Sequence, residues 1–441
     1  MTDQDPARFL GDAVRSQQAN QGASQVWAEV TALSQLPGIL DLGQGWPDFG
    51  ADMTAREEAS RALLDETDPR NNQYSMIPGR AELIKAIARY YRATGSSNAV
   101  SADGANVLVT ASGTEAVYAT MQATLSPGDE CVFLEPFFPW YISNSKIFGA
   151  KPVAVRMNVS DDDDAGVSRY EVNYEALEAA LSSPACKVLI HNSPHNPTGK
   201  VFTAQENERI AAMCVKHDVM CIADEVYERC TFDDDASDGT VEQKLNKVEP
   251  FPRMMDAAGM AERTVTIGTA SKLLALTGWR VGWITGPAAI VAGVKTMKSY
   301  TTFCAPTPLQ LGVAAALNKI SGEAEALGSN VVTSDEAAGA MATNVAVLSA
   351  ALKDAGLKVI APDGGYFLVT DVSATGLSAV EYCKRLAAEA KVASIPMVVF
   401  YDPGADGTGA PDTFVRFAVC KKPETVRACA EAIRANPVVG E

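Results

Sequence analysis

Between residues 107 and 285 the chain alternates short apolar runs with amphipathic stretches. This rhythm restricts the fold more than any other feature of the 441-residue sequence. Residues 107–110, 131–134, 188–191, 220–223, 265–267 and 281–284 read as buried strands, being short and apolar. Residues 114–125 and 203–217 carry a helical period between such runs. Strands alternating with helices predict an α/β domain built on a largely parallel sheet. Ligands of such sheets sit beyond the carboxyl ends of the strands, so the polar residues that follow each apolar run are the candidates for chemistry. After about residue 320 the pattern changes. A long helical stretch at 334–355 precedes short strands at 358–360, 366–369 and 414–418, which predicts a smaller α+β domain. The length exceeds one typical core. The expected division is an N-terminal arm and part of the small domain at 1–60, a large domain at 61–320, and a small C-terminal domain at 321–441.

Charge and composition remove several function classes. A net charge of −17 opposes binding to nucleic acid or to an anionic membrane. No apolar run reaches membrane-spanning length, and Met1-Thr-Asp-Gln-Asp-Pro6 lacks the basic-then-apolar pattern of a signal peptide. Nine scattered cysteines with no C-x-x-C pair suggest free thiols in a reducing compartment, so a cytoplasmic location is expected. His191 and His195 are four apart, but Pro194 and Pro197 forbid the helix that would aim both at one metal, and no metal site is expected. The acidic runs at 161–164 and 233–238 read as solvated loops.

The polar residues after the apolar runs form a set. Thr269-Ala-Ser-Lys272 is followed eight residues later by Arg280, which stands close to Gly278 and Gly282. A lysine amine condenses with aldehydes, and the hydroxyl and guanidinium suit a phosphate. Thr110-Ala-Ser112-Gly113-Thr114-Glu115 follows a strand and opens a helix, where backbone N–H groups attract a phosphate dianion; a plain Ser cap with a capping glutamate is the other reading. Asp224 ends an apolar strand, three residues before Tyr227. Asn192-Ser-Pro194-His-Asn196-Pro197-Thr-Gly199 forces a fixed turn after another strand. Glu135-Pro-Phe137-Phe138-Pro-Trp140-Tyr141 offers an aromatic face, with a core corner as the alternative for Phe137 and Trp140. Arg416 places one charge inside the apolar strand at 414–418, so it must meet an anion, either a ligand or an internal carboxylate.

Taken in order, these strings resemble the fold-type-I pyridoxal 5'-phosphate (PLP) enzymes of the aminotransferase class I/II family, over roughly residues 25–435. They are most like the kynurenine–oxoglutarate and glutamine transaminases. The resemblance implies a large domain with a mostly parallel seven-stranded sheet plus a smaller α+β domain. It implies PLP as cofactor, bound covalently by Lys272, with Ser112, Gly113, Thr114, Thr269 and Arg280 on its phosphate. Asp224 pairs with the ring nitrogen, Tyr227 and Asn196 with the phenolic oxygen, Asn192 lies alongside, and Phe138 stacks on the ring. Arg416 with the backbone near Gly45 clamps the substrate carboxylate. Leu42-Gly-Gln-Gly45-Trp46-Pro-Asp-Phe49 resembles the substrate-recognition segment of those enzymes, with tryptophan where phenylalanine is usual. Trp27, Trp46, Phe138, Tyr141 and Phe303 imply a pocket for aromatic or sulfur-containing side chains. Tyr74 and Phe303 correspond to residues that complete the neighbouring subunit's site, so the family pattern implies a homodimer, and Cys304 stands where histidine is common. The expected reaction is ping-pong transfer of an amino group from an L-amino acid to a 2-oxo acid, the alternative being β-elimination from cysteine conjugates.

Overall fold

The computed structural model describes residues 10, 11, 14, 22–96, 100–162, 167–232, 251–326, 336–402 and 409–440. Seven strands form the large sheet: β1 Val107–Thr110, β2 Glu130–Glu135, β3 Lys151–Arg156, β4 Cys186–Asn192, β5 Met220–Asp224, β6 Thr264–Thr269 and β7 Gly282–Thr285. They lie in the order β1-β7-β6-β5-β4-β2-β3. β7 runs antiparallel to both its neighbours, and every other pair is parallel. Every residue of β1, β6 and β7 is buried, parallel or not. The apolar runs read from the sequence fall on six of these strands within one or two residues. The seventh, β3, is an edge strand whose charged ends and Pro152 hide it from an apolar-run criterion.

A second, mixed sheet of six strands covers one side of the site. Its order is Ile395–Pro396, Phe414–Ala418, Phe367–Asp371, Lys358–Ile360, Val167–Glu171 and Asn158–Asp162. The last two form a hairpin that joins the sheet through the pairing of Ile360 with Ser168. Asp161 and Asp162, expected in a loop, pair instead with Ser168 and Val167 at the sheet's edge, because the backbone ladder continues to the end of the strand. Residues 163–164 and the acidic run at 233–238 lie outside the described residues. The long helix occupies Glu336–Asp354. Leu40–Asp41 pairs in parallel with Val392–Ala393, and the Ala418 N–H donates to Leu42 O at 2.6 Å. The segment after Asp41 is thereby laid against the strand that carries Arg416. No helix among the described residues is long and apolar enough to cross a membrane.

Candidate active site

Strand register brings the first two groups together. Asn192 and Asp224 are the last residues of β4 and β5 and pair directly across the ladder. The Asn192 amide is consumed by local structure: Nδ2 donates to Asp224 O at 2.7 Å, and Oδ1 accepts the Asn196 N–H at 2.8 Å. It fixes the turn that presents Asn196. Asp224 is buried, and its Oδ2 accepts the Tyr141 hydroxyl at 2.5 Å. Its Oδ1 has no hydrogen-bond partner among the described residues. Burial pushes this carboxyl up to about 6, against the pull of the Tyr141 hydroxyl, the Val226 amide and Lys272. Tyr227 lies on the same turn, its ring edge-on to Tyr366 and Phe367.

Lys272 sits in the single helical turn Ala270–Leu273 that follows β6. Its Nζ donates to Gly45 O at 2.9 Å and lies 5.6 Å from the Tyr227 ring centroid and 5.2 Å from that of Tyr366. The Tyr366 hydroxyl holds the Lys272 carbonyl at 2.9 Å. Burial lowers the lysine's pKa, and the positive charges of Arg416 and Arg280 act in the same direction, opposed by Cys420 and Cys230. A lysine so placed is more readily neutral, which is the nucleophilic form. Gly45 is required there, because a Cβ would meet the Phe367 ring at 2.7 Å.

The helix Gly113–Thr124 begins at the same end of the sheet, between β6 and the first turn after β5. Its approach depends on Gly282 of β7: a Cβ there would stand 2.5 Å from Ser112 C and 2.6 Å from Gly113 N. Ser112 does cap the helix, accepting the Glu115 N–H at 3.4 Å. The Glu115 side chain, however, turns away to Ala111 N at 2.5 Å and to the hydroxyls of Thr301 and Thr302. Ser112 therefore caps the helix without a reciprocal bond from Glu115. Ser112, Gly113 and Thr114 line the cavity together with Thr269 and Arg280. Thr269 spends its hydroxyl proton on Val281 O at 3.0 Å. Ser271, which the sequence reading passed over, lines the same corner with a buried hydroxyl that has no partner among the described residues. Its only sequence signal is its place between Thr269 and Lys272. Arg280 is exposed at the rim with left-handed backbone (φ 53°), and donates to Thr277 O at 2.8 Å.

Arg416 faces the opposite wall. It is 3% exposed, and no carboxylate pairs with it among the described residues. Nη1 donates to Asn196 Oδ1 and Nη2 to Gly43 O, each at 3.0 Å, while Nε has no partner. Its guanidinium lies 3.9 Å from the Phe367 ring centroid and 4.6 Å from that of Phe400. Burial lowers its pKa to about 10. Lys421, 2% exposed, anchors the adjoining loop by donating to Trp46 O at 2.9 Å with its Nζ 4.0 Å from the Trp46 ring centroid.

Aromatic side chains close the cavity. Trp27, Phe138 and Tyr141 line it, and so does Trp140, which stacks on Phe138 with centroids 4.5 Å apart and 10° between planes. Trp140 is thus not core, whereas Phe137 is fully buried. Three expected residues stand outside the cavity of a single chain. Trp46 is half exposed beneath Lys421, and Tyr74 and Phe303 form an exposed edge-to-face pair 5.8 Å apart.

A half-buried amine, a buried carboxylate with one open oxygen, a helix N-terminus and an unpaired guanidinium thus share one cavity. Residues 37–433 match the family model for aminotransferase class I and II. The chain belongs to that family. Kynurenine–oxoglutarate transaminase 3 of Rattus norvegicus is 33% identical, over 93% of this chain and 87% of that protein. Among solved structures, N-succinyldiaminopimelate aminotransferase from Mycobacterium tuberculosis matches with a TM-score of 0.80 at 32% identity, covering 93% of this chain and 96% of that one. YbdL from Escherichia coli, for which a methionine aminotransferase function is described, matches with a TM-score of 0.79 at 26% identity, covering 99% and 100%. This aminotransferase is therefore an enzyme that moves an amino group between an amino acid and a 2-oxo acid.

Proposed function

We propose that this aminotransferase uses PLP held on Lys272 and takes L-amino acids with aromatic or sulfur-containing side chains, or glutamine, as donors. The observation that carries the substrate reading is Arg416. A buried guanidinium without a carboxylate partner, with Nε still unsatisfied, is a waiting site for the α-carboxylate of an amino acid. The chain's own groups fit the cofactor. The open Oδ1 of Asp224 suits a protonated ring nitrogen, and the amides and hydroxyls at the Ser112–Thr114 helix start, with the Ser271 hydroxyl and Arg280, suit a phosphate. Asn196 and Tyr227 line the cavity and suit the phenolic oxygen that the family's pattern assigns to them, and Phe138 offers a stacking face. When bound, PLP supplies an electron sink for the substrate's α-carbon.

The residues then divide the labour. Arg416, with Asn196 behind it, fixes the substrate carboxylate. Lys272 Nζ, freed when the substrate's own amine takes its place on the cofactor, would take the proton from the substrate's α-carbon. Asp224, kept ionised, holds the ring-nitrogen proton. The aromatic wall of Trp27, Phe138 and Trp140 excludes water and favours a flat or polarisable side chain. Such a lining is closer to the substrates named for the kynurenine and methionine relatives than to a second carboxylate. The donor leaves as a 2-oxo acid before the acceptor enters, so initial-rate plots are parallel lines. The exposed Tyr74–Phe303 pair supports a homodimer whose partner completes each site. Nine free cysteines support a reducing, cytoplasmic setting.

The test is the absorbance of the PLP-loaded protein with single amino acids added. A visible band that bleaches with an aromatic or sulfur-containing donor, and returns with a 2-oxo acid, is the expected outcome. Release of pyruvate or ammonia without an acceptor, the band persisting, would replace transfer by elimination. No visible band in excess PLP would remove Lys272 from its role.

A further inference from the structure

We propose that Tyr141 is a positioning residue for Asp224: its hydroxyl pins Oδ2 and so presents Oδ1 alone, in a fixed direction, to the ligand's ring nitrogen. The inference rests on the PLP reading above, and it reassigns a residue that the family pattern places against the substrate.

The geometry is specific. Tyr141 is fully buried at the start of the helix Trp140–Ile147. Its N–H closes a tight turn on Phe138 O at 3.1 Å, and its carbonyl accepts the Ser145 hydroxyl at 2.9 Å. The ring is wedged against Phe138, 5.9 Å away and edge-on, and against Phe133 at 6.4 Å. A phenol held at both backbone and ring has little freedom to leave the carboxylate it meets at 2.5 Å. An aspartate's terminal torsion is otherwise broad, so pinning one oxygen sets the plane of the carboxylate and the aim of the other. Hydrogen bonding to the ionised form also favours it. The groups facing Asp224 are the Tyr141 hydroxyl, the Lys272 ammonium, the Val226 amide and the Tyr227 phenol. Among the described residues, only Tyr141 donates to its side chain from a separate element across the cavity, 83 residues away in sequence. Without that hydroxyl, both carboxylate oxygens are buried without a side-chain donor, and the acid spends more of its time protonated near neutral pH, where it repels a protonated ring nitrogen.

The experiment is Tyr141→Phe, which keeps the ring and its packing, assayed as the holoenzyme. PLP dissociation is measured by dialysis between about pH 5.5 and 8.5, beside Asp224→Asn and the double variant. The expected result is a dissociation constant raised on the order of tenfold at neutral pH, the loss of a buried hydrogen bond to a charged group, and raised further as the pH falls. In the Asp224→Asn background the same change adds little. KM ratios among amino acids of different side chain stay as in the wild type. An unchanged PLP affinity across the range overturns the proposal. So does a shift confined to KM for aromatic donors, which would make Tyr141 a substrate contact. A wild-type protein that retains no PLP fails at the earlier step and is told apart by its missing visible band.

Discussion

At the level of single residues, the decisive feature is charge held in the interior without a counter-charge. Arg416 bridges Asn196 and Gly43 through two separate nitrogens, a fork that lysine cannot reproduce. Arg416→Lys should therefore raise KM for the amino donor roughly tenfold to a hundredfold, the worth of a hydrogen bond to a charged group. Maximal velocity at saturation should change less, and initial rates at varied donor concentration check it. Lys272→Ala should abolish the visible absorbance of the loaded protein and lower turnover by about 10²–10⁴-fold, the usual contribution of a positioned acid–base group. Glu225, beside Asp224, is a different case. It is buried, accepts Met254 N–H at 2.9 Å with one oxygen and leaves the other unsatisfied. Burial pushes it up to about 8 from 4.5, against Arg253 and the Met254 amide and with Glu228 and Asp256. A raised carboxyl stabilises the fold when protonated. That stability is complete below the unfolded value and is lost as pH rises through the folded one. This group should lower the melting temperature progressively between about pH 4.5 and 8, and Glu225→Gln should flatten the slope. Asp224 and Arg416 were legible in the sequence because each ends or interrupts an apolar run, where a charge needs a reason, and Lys272 because Thr269 precedes it by three residues and Arg280 follows it by eight. The Tyr141–Asp224 bond and the buried hydroxyl of Ser271 were not. Each depends on what the fold brings near, and no local pattern encodes it.

At the level of elements, the site is set by how strands end and what their neighbours allow. Register pairs Asn192 with Asp224, and the missing side chain of Gly282 admits the start of the helix Gly113–Thr124. Gly282→Ala forces the Ser112–Gly113 backbone away and should destabilise the fold by about 1–3 kcal/mol, as overpacking does. It should also weaken PLP affinity; thermal melting and PLP titration read the two effects separately. The loop from Gly43 to Phe49 is held from the other side by Lys421 and by Asp48, which accepts the Lys422 N–H and the Thr425 hydroxyl. β1, β2, β4, β5, β6 and β7 were readable because buried strands are short and continuously apolar. β3 and the hairpin Asn158–Glu171 were not, since edge strands carry charges and proline, the composition of loops. Which strand lies beside which came only with the structure: neighbours such as β1 and β7 are far apart in sequence.

At the level of the whole molecule, the cavity belongs to neither sheet alone. Lys272, Asn192 and Asp224 hang from the seven-stranded sheet, and Arg416 and Phe367 from the six-stranded one. A homodimer is expected to cover the Tyr74–Phe303 face. Light scattering should give twice the chain's mass, and a monomer at working concentration would refute it. The division of the cavity between sheets has its own mechanical meaning. An amino acid whose carboxylate sits on Arg416 and whose nitrogen faces Lys272 touches two separately built scaffolds at once. While bound it works as a tie-bar, and amide exchange should slow together in β5 and in Phe414–Ala418, far more than in the β3 edge. For the length of each turnover, the substrate is a structural member of the protein.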